Sequence, residues 1–75
     1  MSREFELDLK QFICPMPVIK TQAKIASLRP TDILTVYCSD PGTLYDIPAW
    51  CRIHGHKVIA TKEEKDVISI KIEVS

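Results

Sequence analysis

The sequence predicts an α/β (α+β) two-layer sandwich with the order β-α-β-α-β-β, in which a mixed four-stranded sheet carries two helices on one face. Three observations predict this fold class. Apolar and polar residues alternate in the first and last segments, helical periodicity occupies two segments between them, and turn residues separate the segments. Because the alternation leaves one polar side, one face of the sheet is expected to be open to water and the other covered by both helices.

The predicted strands cover residues 5–9, 33–38, 58–60 and 68–74. The last is the clearest, because isoleucine and valine alternate with polar residues along its whole length. The charged run KEEKD at 62–66 is typical of a solvated turn, so the last two strands form an antiparallel hairpin. The first β-α-β crossover is expected to be right-handed.

Helical periodicity predicts a first helix that starts at Pro15 and ends at Arg29, because the residue before Pro30 is pushed out of helical space. The apolar face of this helix is expected to contain Val18, Ile19, Ala23, Ile25 and Ala26. The opposite, polar face is expected to contain Lys20, Thr21, Lys24 and Ser27.

Apolar residues at helical spacing predict a second helix that ends near Gly55, a residue suited to the C-cap region; they are Ile47, Trp50 and Cys51. Thr43 and Asp46 have the spacing of a capping box at its start. Pro48, however, fits only within about the first turn of a helix. The expected start therefore lies closer to Asp46 than to Thr43.

Composition and charge weigh against several classes of protein. The 75 residues are 45% hydrophobic and 27% charged, which is typical of one globular domain, expected over residues 1–75. Ten acidic and ten basic residues give a net charge of zero, which disfavours nonspecific nucleic-acid binding. The apolar runs are far shorter than the roughly 20 residues of a membrane span, and the charged N-terminus is unlike a signal peptide. Three cysteines, an odd number, indicate free thiols and a cytoplasmic protein.

The stretch FICPMPVIK, residues 12–20, places a thiol where the first strand has ended and the first helix begins. Pro15 suits the first helical position, and Pro17 lies in the first turn, where backbone donors have no intrahelical partner. The prolines therefore fix a helix start and leave Cys14 at or just before the N-cap. The helix dipole is expected to lower the pKa of this thiol, which makes Cys14 the candidate nucleophile. Alternatively, Cys14 is a small buried residue of a strand-to-helix turn.

Two aspartates, Asp40 and Asp46, are candidate acid–base groups or, alternatively, turn and cap residues. Asp40 follows the second strand. If the first two strands are neighbours, Asp40 lies at the same edge of the sheet as Cys14 and helps to shape a docking surface there. A line of basic residues on the first helix is either a solvated face or a strip for partner docking; it contains Lys20, Lys24 and Arg29.

The other two cysteines, Cys38 and Cys51, fall on faces that are expected to point inward, so both are predicted to lie in the core. A resolving thiol is the alternative role for Cys51. A metal site would have to combine Cys51 with His54 and His56, and with Cys14 or Cys38. Cys-x-x-His-x-His is not a common zinc spacing, and a glycine separates the histidines. We therefore expect no metal and no cofactor, with both histidines on a surface at the helix end.

Three stretches, LDLKQFICPMPVIK, CSDPGTLYDIPAWC and HGHKV, resemble the TusA/SirA-like family of small sulfur-carrier proteins. The resemblance covers essentially the whole chain and includes two independent signatures, Cys-Pro-x-Pro and Asp-Pro-x-Thr-x-x-Asp-Ile. It implies a two-layer sandwich similar to the C-terminal domain of translation initiation factor 3. It also implies that Cys14 carries sulfur as a persulfide, and in this interpretation Pro15, Pro17 and Asp40 support the site. The approach to the cysteine, Gln-Phe-Ile, is bulkier and less basic than is common in the family.

The function that the resemblance implies is a sulfur relay. A donor protein, either a cysteine desulfurase or a rhodanese-like enzyme, would supply sulfane sulfur, and an acceptor protein would remove it in tRNA thiolation, molybdenum-cofactor chemistry or dissimilatory sulfur metabolism. Such a protein is a sulfurtransferase-type carrier and not an autonomous enzyme, because the sequence contains no substrate-pocket or cofactor motif. Two alternatives stay open: a regulatory or interaction module, and an RNA-binding domain, against which the zero net charge weighs.

Overall fold

The computed structural model describes residues 3–75, and its elements follow the order that the sequence predicts. They are β1 (Glu4–Asp8), α1 (Met16–Ile25), β2 (Ile33–Cys38), α2 (Thr43–Ile53), β3 (Lys57–Glu64) and β4 (Val67–Glu73). Within these residues the strands form a four-stranded sheet in the order β1-β2-β4-β3. β1 and β2 are parallel, and β4 is antiparallel to both of its neighbours. The predicted fold class, a mixed sheet with two helices, is confirmed.

The core lies between one face of the sheet and the two helices. Alternate residues of β2 and β4 are buried, and they pack with residues of both helices in one cluster that includes Leu34, Val36, Ile70, Ile72, Ile25, Ile47 and Cys51. The residues between them in the strands are only partly buried, because they lie on the face of the sheet that carries no helix. Burial of isoleucine and valine at this face is the main stabilising contribution, at about 1.5–3 kcal/mol for each fully buried side chain.

The face that α1 buries differs from the predicted one. Its buried residues are Pro17, Thr21 and Ile25, whereas Ile19 is 50% exposed. The predicted polar position Thr21 is therefore in the core, and this part of the prediction was wrong. The buried residues are spaced by four, which is a regular helical stripe, but the stripe includes a proline and a threonine that hydropathy alone does not assign to a core.

The start of α2 also differs from the prediction. The helix begins at Thr43, its N-cap is Gly42, and Pro48 lies inside it. Within residues 3–75 no side chain caps this helix end, so the predicted capping box of Thr43 and Asp46 does not form. None of the helices in this part of the chain is long and apolar enough to cross a membrane.

The end of α2 agrees with the prediction. Gly55 has a φ of 82°, and His56 N donates a 2.8 Å hydrogen bond to Cys51 O. Gly55 N donates a longer bond, of 3.4 Å, to Arg52 O. These two bonds form a Schellman motif, in which a residue with positive φ satisfies the last carbonyl groups of a helix.

The hairpin of β3 and β4 is longer than predicted. Lys62, Glu63 and Glu64 belong to β3, so the run KEEKD is not a turn as a whole. Only Lys65 and Asp66 form the turn, and both have positive φ, 50° and 67°. Two consecutive residues of this kind are typical of a tight two-residue hairpin, whose twist matches that of the strands. High charge reflects the exposure of β3 at the sheet edge, and here it does not indicate a loop.

Candidate functional site

Parallel pairing of β1 and β2 brings the two segments that follow these strands to the same edge of the sheet. Leu9 N donates a 2.7 Å hydrogen bond to Tyr37 O, which continues the pairing beyond β1. Ser39 Oγ then donates a 2.6 Å bond to Lys10 O. Residues 9–14 and 38–42 are therefore held side by side, and the candidate site is built where they meet.

Cys14 lies in a tight turn between β1 and α1. Met16 N donates a 2.9 Å hydrogen bond to Ile13 O, so Cys14 and Pro15 are the two central residues of this turn. Pro15 is the N-cap of α1 and not its first residue, which corrects the predicted position by one residue. Pro17 lies in the first turn of the helix, as predicted, and is buried. The Cys14 side chain is exposed to solvent just before the helix.

Asp40 connects the segment of Cys14 to the start of α2. Its Oδ2 accepts a 2.9 Å hydrogen bond from Cys14 N, and its Oδ1 accepts one of 2.9 Å from Gly42 N. Its backbone carbonyl accepts a 2.7 Å bond from Thr43 Oγ1. The bonds from Cys14 N and Gly42 N hold the pKa of the Asp40 carboxyl below its ordinary value, because they stabilise the carboxylate. Asp40 therefore lies at the same edge of the sheet as Cys14. Its carboxylate fixes the backbone of Cys14.

The electrostatic environment of Cys14 is the opposite of the predicted one. Its Sγ is 3.6 Å from Asp46 Oδ2, within hydrogen-bond reach for sulfur. Desolvation, this hydrogen bond and the charges of Asp46 and Asp40 all raise the pKa of the Cys14 thiol above its ordinary value. The prediction of a lowered pKa was wrong, because it considered the dipole of α1 alone. Two nearby carboxylates act against the partial positive charge of the helix end.

Asp46 is one of the two aspartates that the sequence offers as candidate acid–base groups or cap residues, but its contact with Cys14 was not predicted. The sequence does contain a signal for this contact. If β1 and β2 are parallel neighbours, the first turn of α2 starts at the same sheet edge as Cys14. Any acidic residue in that turn is then a candidate neighbour of the thiol.

The other two cysteines are in the core, as predicted. Cys38 and Cys51 are both 0% exposed. Burial raises the pKa of both thiols, and that of Cys51 reaches about 11. Neither is therefore a thiolate near neutral pH or accessible from solvent.

The histidines lie at the end of α2 and pack on an aromatic ring. The ring centroid of Trp50 is 4.6 Å from that of His54 and 5.5 Å from that of His56. Across residues 3–75, no three side chains of the metal-binding types are grouped so that they could hold an ion. The structure thus explains the histidines by packing.

The surface around Cys14 is open and carries exposed apolar side chains. Ile13 is 73% exposed, Ile19 is 50% exposed and Met16 is 36% exposed. A cavity of about 270 Å³ lies instead toward the other end of α2 and is lined by Pro48, Arg52, His56, Lys57 and Val58. None of the predicted site residues lines that cavity. The thiol is therefore exposed at the sheet edge, where a second protein can reach it.

Comparisons with known proteins agree with this geometry. The family described as "Sulfurtransferase TusA" matches residues 5–74. YrkF from Bacillus subtilis is 31% identical over 68 residues, which cover 91% of this chain and only 37% of YrkF. Sulfur carrier protein TusA from Pseudomonas syringae pv. tomato is 37% identical over 59 residues, which cover 79% of this chain and 70% of that protein.

A solved structure shows the same fold. The SirA-like protein from Desulfitobacterium hafniense superimposes with a TM-score of 0.83 over 95% of this chain and 97% of that one. Its sequence identity is 19%, so this likeness concerns the fold. The family match, by contrast, spans nearly all of the sequence, including the exposed cysteine and both aspartates. This protein therefore belongs to the TusA/SirA-like family of sulfur carriers.

Proposed function

We propose that this protein carries sulfur as a persulfide on Cys14, between a donor protein and an acceptor protein. The observation that carries the proposal is the contrast among the thiols: Cys14 is exposed at a built site, while Cys38 and Cys51 are fully buried. A carrier needs one sulfur atom that other proteins can reach, and this chain offers Cys14.

The transfer step follows from thiol chemistry. The Cys14 sulfur attacks the outer sulfur of a donor persulfide, the sulfur–sulfur bond of the donor breaks, and the donor leaves as a thiol. A new bond joins Cys14 Sγ to the transferred sulfur, and the thiol proton passes to the leaving donor sulfur. No net oxidation occurs. A thiol of the acceptor then loses its proton and attacks the outer sulfur; the bond between that sulfur and Cys14 Sγ breaks, and Cys14 takes up the proton and leaves as a thiol.

The supporting residues fix the position of Cys14. Asp40 fixes the Cys14 amide, and Pro15 and Pro17 shape the turn and the helix start. These contacts keep the Cys14 sulfur at a fixed position on the surface. The reactive sulfur of a docked partner can then approach it in a productive geometry. We infer that this chain is a carrier and not an autonomous enzyme, because the thiol lies on an open edge and outside the cavity beside α2.

The partners follow from the same chemistry. A cysteine desulfurase or a rhodanese-like enzyme holds sulfane sulfur on a cysteine and would act as donor. The acceptor would belong to tRNA thiolation, molybdenum-cofactor chemistry or dissimilatory sulfur metabolism, and the setting would be the reducing cytoplasm. Exposed apolar side chains beside Cys14, such as Ile13 and Ile19, are consistent with transient docking of these partners.

The same exposed apolar side chains support a second candidate, an interaction module in which Cys14 has no sulfur chemistry. A loading experiment separates the two. The protein is incubated with a cysteine desulfurase and cysteine, or with a rhodanese and thiosulfate, and its intact mass is measured before and after reduction. We expect a gain of one sulfur atom that reduction removes and that maps to the peptide of Cys14. No gain from either donor, while Cys14 is alkylated normally, would favour the interaction module.

A further inference from the structure

The Asp46 carboxylate lies in the first turn of α2 and contacts the Cys14 sulfur. Its Oδ2 is 3.6 Å from Sγ, and within residues 3–75 its carboxylate takes part in no other hydrogen bond and no ion pair. Asp40 differs, because its carboxylate accepts hydrogen bonds from two backbone amides. Asp46 is thus placed to act on the thiol, whereas Asp40 is placed to hold the backbone.

The charged groups around the thiol do not compensate Asp46. From the β2–α2 segment the thiol faces Asp40, and from α2 it faces Asp46. No basic side chain of residues 3–75 is among the charges that act on this thiol; Lys10 is 3.9 Å from Asp8, and the Nζ of Lys20 lies 4.9 Å from the centre of the Phe12 ring. The two charged side chains that act on the sulfur, Asp46 and Asp40, are therefore both negative.

This arrangement favours the thiol over the thiolate. A thiol donates its S–H to the Asp46 carboxylate, which is a favourable contact. Loss of that proton would leave two negative charges a few ångströms apart, which is unfavourable at the edge of a protein. A persulfide carrier whose sulfur stays protonated while the protein is free reacts slowly with small electrophiles and oxidants, since the thiolate is the reactive form.

We propose that Asp46 is a positioning residue that holds Cys14 as a neutral, weakly nucleophilic thiol in the free protein. The sulfur becomes a thiolate when a positive group of the docked donor pairs with Asp46. The second statement rests on the proposed carrier function, whereas the first does not. In the complex, the Cys14 proton is released and finally taken up by the leaving donor thiolate. The new bond joins Cys14 Sγ to the donor's outer sulfur, so atoms and charges balance.

The first statement is tested without any sulfur donor. Asp46→Asn removes the charge of the side chain and nearly keeps its shape. Asp46→Ala removes the charge as well, and it lacks the amide with which asparagine could bond to the sulfur. Asp66→Asn, in the β3–β4 turn, is the matched control, because it removes the same charge from a residue that is not among those acting on the Cys14 thiol, and asparagine tolerates positive φ. The rate of alkylation of Cys14 by iodoacetamide is measured against pH by intact mass, with circular dichroism as a check on folding.

Both Asp46 variants are expected to alkylate faster than the wild type below the thiol pKa. A fall of one pKa unit corresponds to roughly tenfold more thiolate, and hence roughly tenfold faster alkylation. Asp66→Asn should follow the wild-type profile. Superimposed profiles for Asp46→Ala, Asp46→Asn and the wild type would overturn the proposal.

The second statement is tested with saturating donor. If the docked donor neutralises Asp46, the wild type and Asp46→Asn load sulfur at similar rates near neutral pH, although their alkylation rates differ. Loading that is faster in the variant by the same factor as alkylation would overturn this part. Failure of the wild type to load sulfur at all would count against the carrier function, while the alkylation result would still decide the role of Asp46.

Discussion

Cys14 and Asp40 are 26 residues apart in the sequence and are joined by a hydrogen bond of 2.9 Å from the Cys14 amide to the Asp40 carboxylate. Parallel pairing of β1 with β2 makes this contact possible, because it places the ends of both strands at one edge. The backbone of the exposed Cys14 is therefore held in place by contacts among β1, β2 and the first residues of both helices. This relationship explains how so small a chain can present a sulfur atom at a fixed place.

The first prediction concerns which thiol accepts sulfur. Cys14→Ser is expected to reduce persulfide loading below detection, because the hydroxyl that replaces the thiol does not form a persulfide. Cys38→Ala and Cys51→Ala are the matched controls and should load normally, since both side chains are buried. Intact mass with peptide mapping measures the outcome. Loss of loading in a folded Cys51→Ala protein would instead make Cys51 part of the relay.

The second prediction compares two buried threonines. Thr21 Oγ1 is buried without a hydrogen-bond partner among residues 3–75, whereas Thr43 Oγ1 donates a 2.7 Å bond to Asp40 O. Thr21→Val should therefore raise the free energy of unfolding by about 1 kcal/mol, and Thr43→Val should lower it by about 1 kcal/mol. Urea denaturation measures both. Destabilisation by Thr21→Val would mean that its hydroxyl has a partner in solution.

The third prediction compares the two glycines. A Cβ at Gly55 would meet no atom within 4 Å, but its φ of 82° is unfavourable for alanine. Gly55→Ala is thus expected to cost roughly 1–2 kcal/mol through the backbone alone. Gly42 has a φ of −61°, and a Cβ there would meet Asp40 Oδ1 at 3.4 Å and Asp46 Oδ2 at 3.6 Å, which is ordinary contact, so Gly42→Ala should cost less than Gly55→Ala. A larger loss at Gly42 than at Gly55, measured by urea denaturation, would contradict this interpretation.

The fourth prediction concerns acid. Asp32 is 3% exposed, and its side-chain hydrogen bond from Arg3 and the backbone bond from Arg29 N lower the pKa of its carboxyl; backbone bonds do the same for Asp40. A carboxyl whose pKa is lower in the folded state contributes stability above its unfolded pKa of about 3.9. That contribution is lost as pH falls through the folded pKa.

The wild type should therefore lose stability in urea as pH falls below about 4, and Asp32→Asn should lose less over the same interval. The substitution itself lowers stability at neutral pH, because Arg3 loses its carboxylate partner at 2.8 Å. Glu63→Gln, which removes a carboxylate from an exposed strand without breaking an ion pair of residues 3–75, is the control and should lower stability less than Asp32→Asn at neutral pH. An acid slope in Asp32→Asn equal to that of the wild type would contradict the assignment.

The element order could be predicted from the sequence, because periodicity differs clearly between strands and helices in this chain. The buried face of α1 could not be predicted in the same way. Ile19 is exposed and Thr21 is buried, so hydropathy assigned the wrong face of α1. An apolar residue on a docking edge and an apolar residue in a core look alike in a sequence, and only the packing separates them.

The position of Cys14 could also be predicted, since prolines and strand ends are local signals. The raised pKa of its thiol could not, because one of the causes beside desolvation is the carboxylate of Asp46, which is 32 residues away in the sequence. Contacts of that range depend on which strands are neighbours. Once β1 and β2 are known to be parallel, the contact is a natural consequence of the fold.

The long β3–β4 hairpin has a consequence for recognition. Cys38 pairs with Ile68, so the hairpin tip at Lys65 and Asp66 lies at the same end of the sheet as Cys14. A strand spacing is about 4.8 Å, which puts the tip roughly 10–15 Å to one side of the thiol. A standard interface covers about 800 Å² on each partner, equivalent to a disc of about 16 Å radius. A protein that covers the thiol therefore also meets the hairpin's charges, so partner choice can be altered there while the sulfur chemistry stays intact.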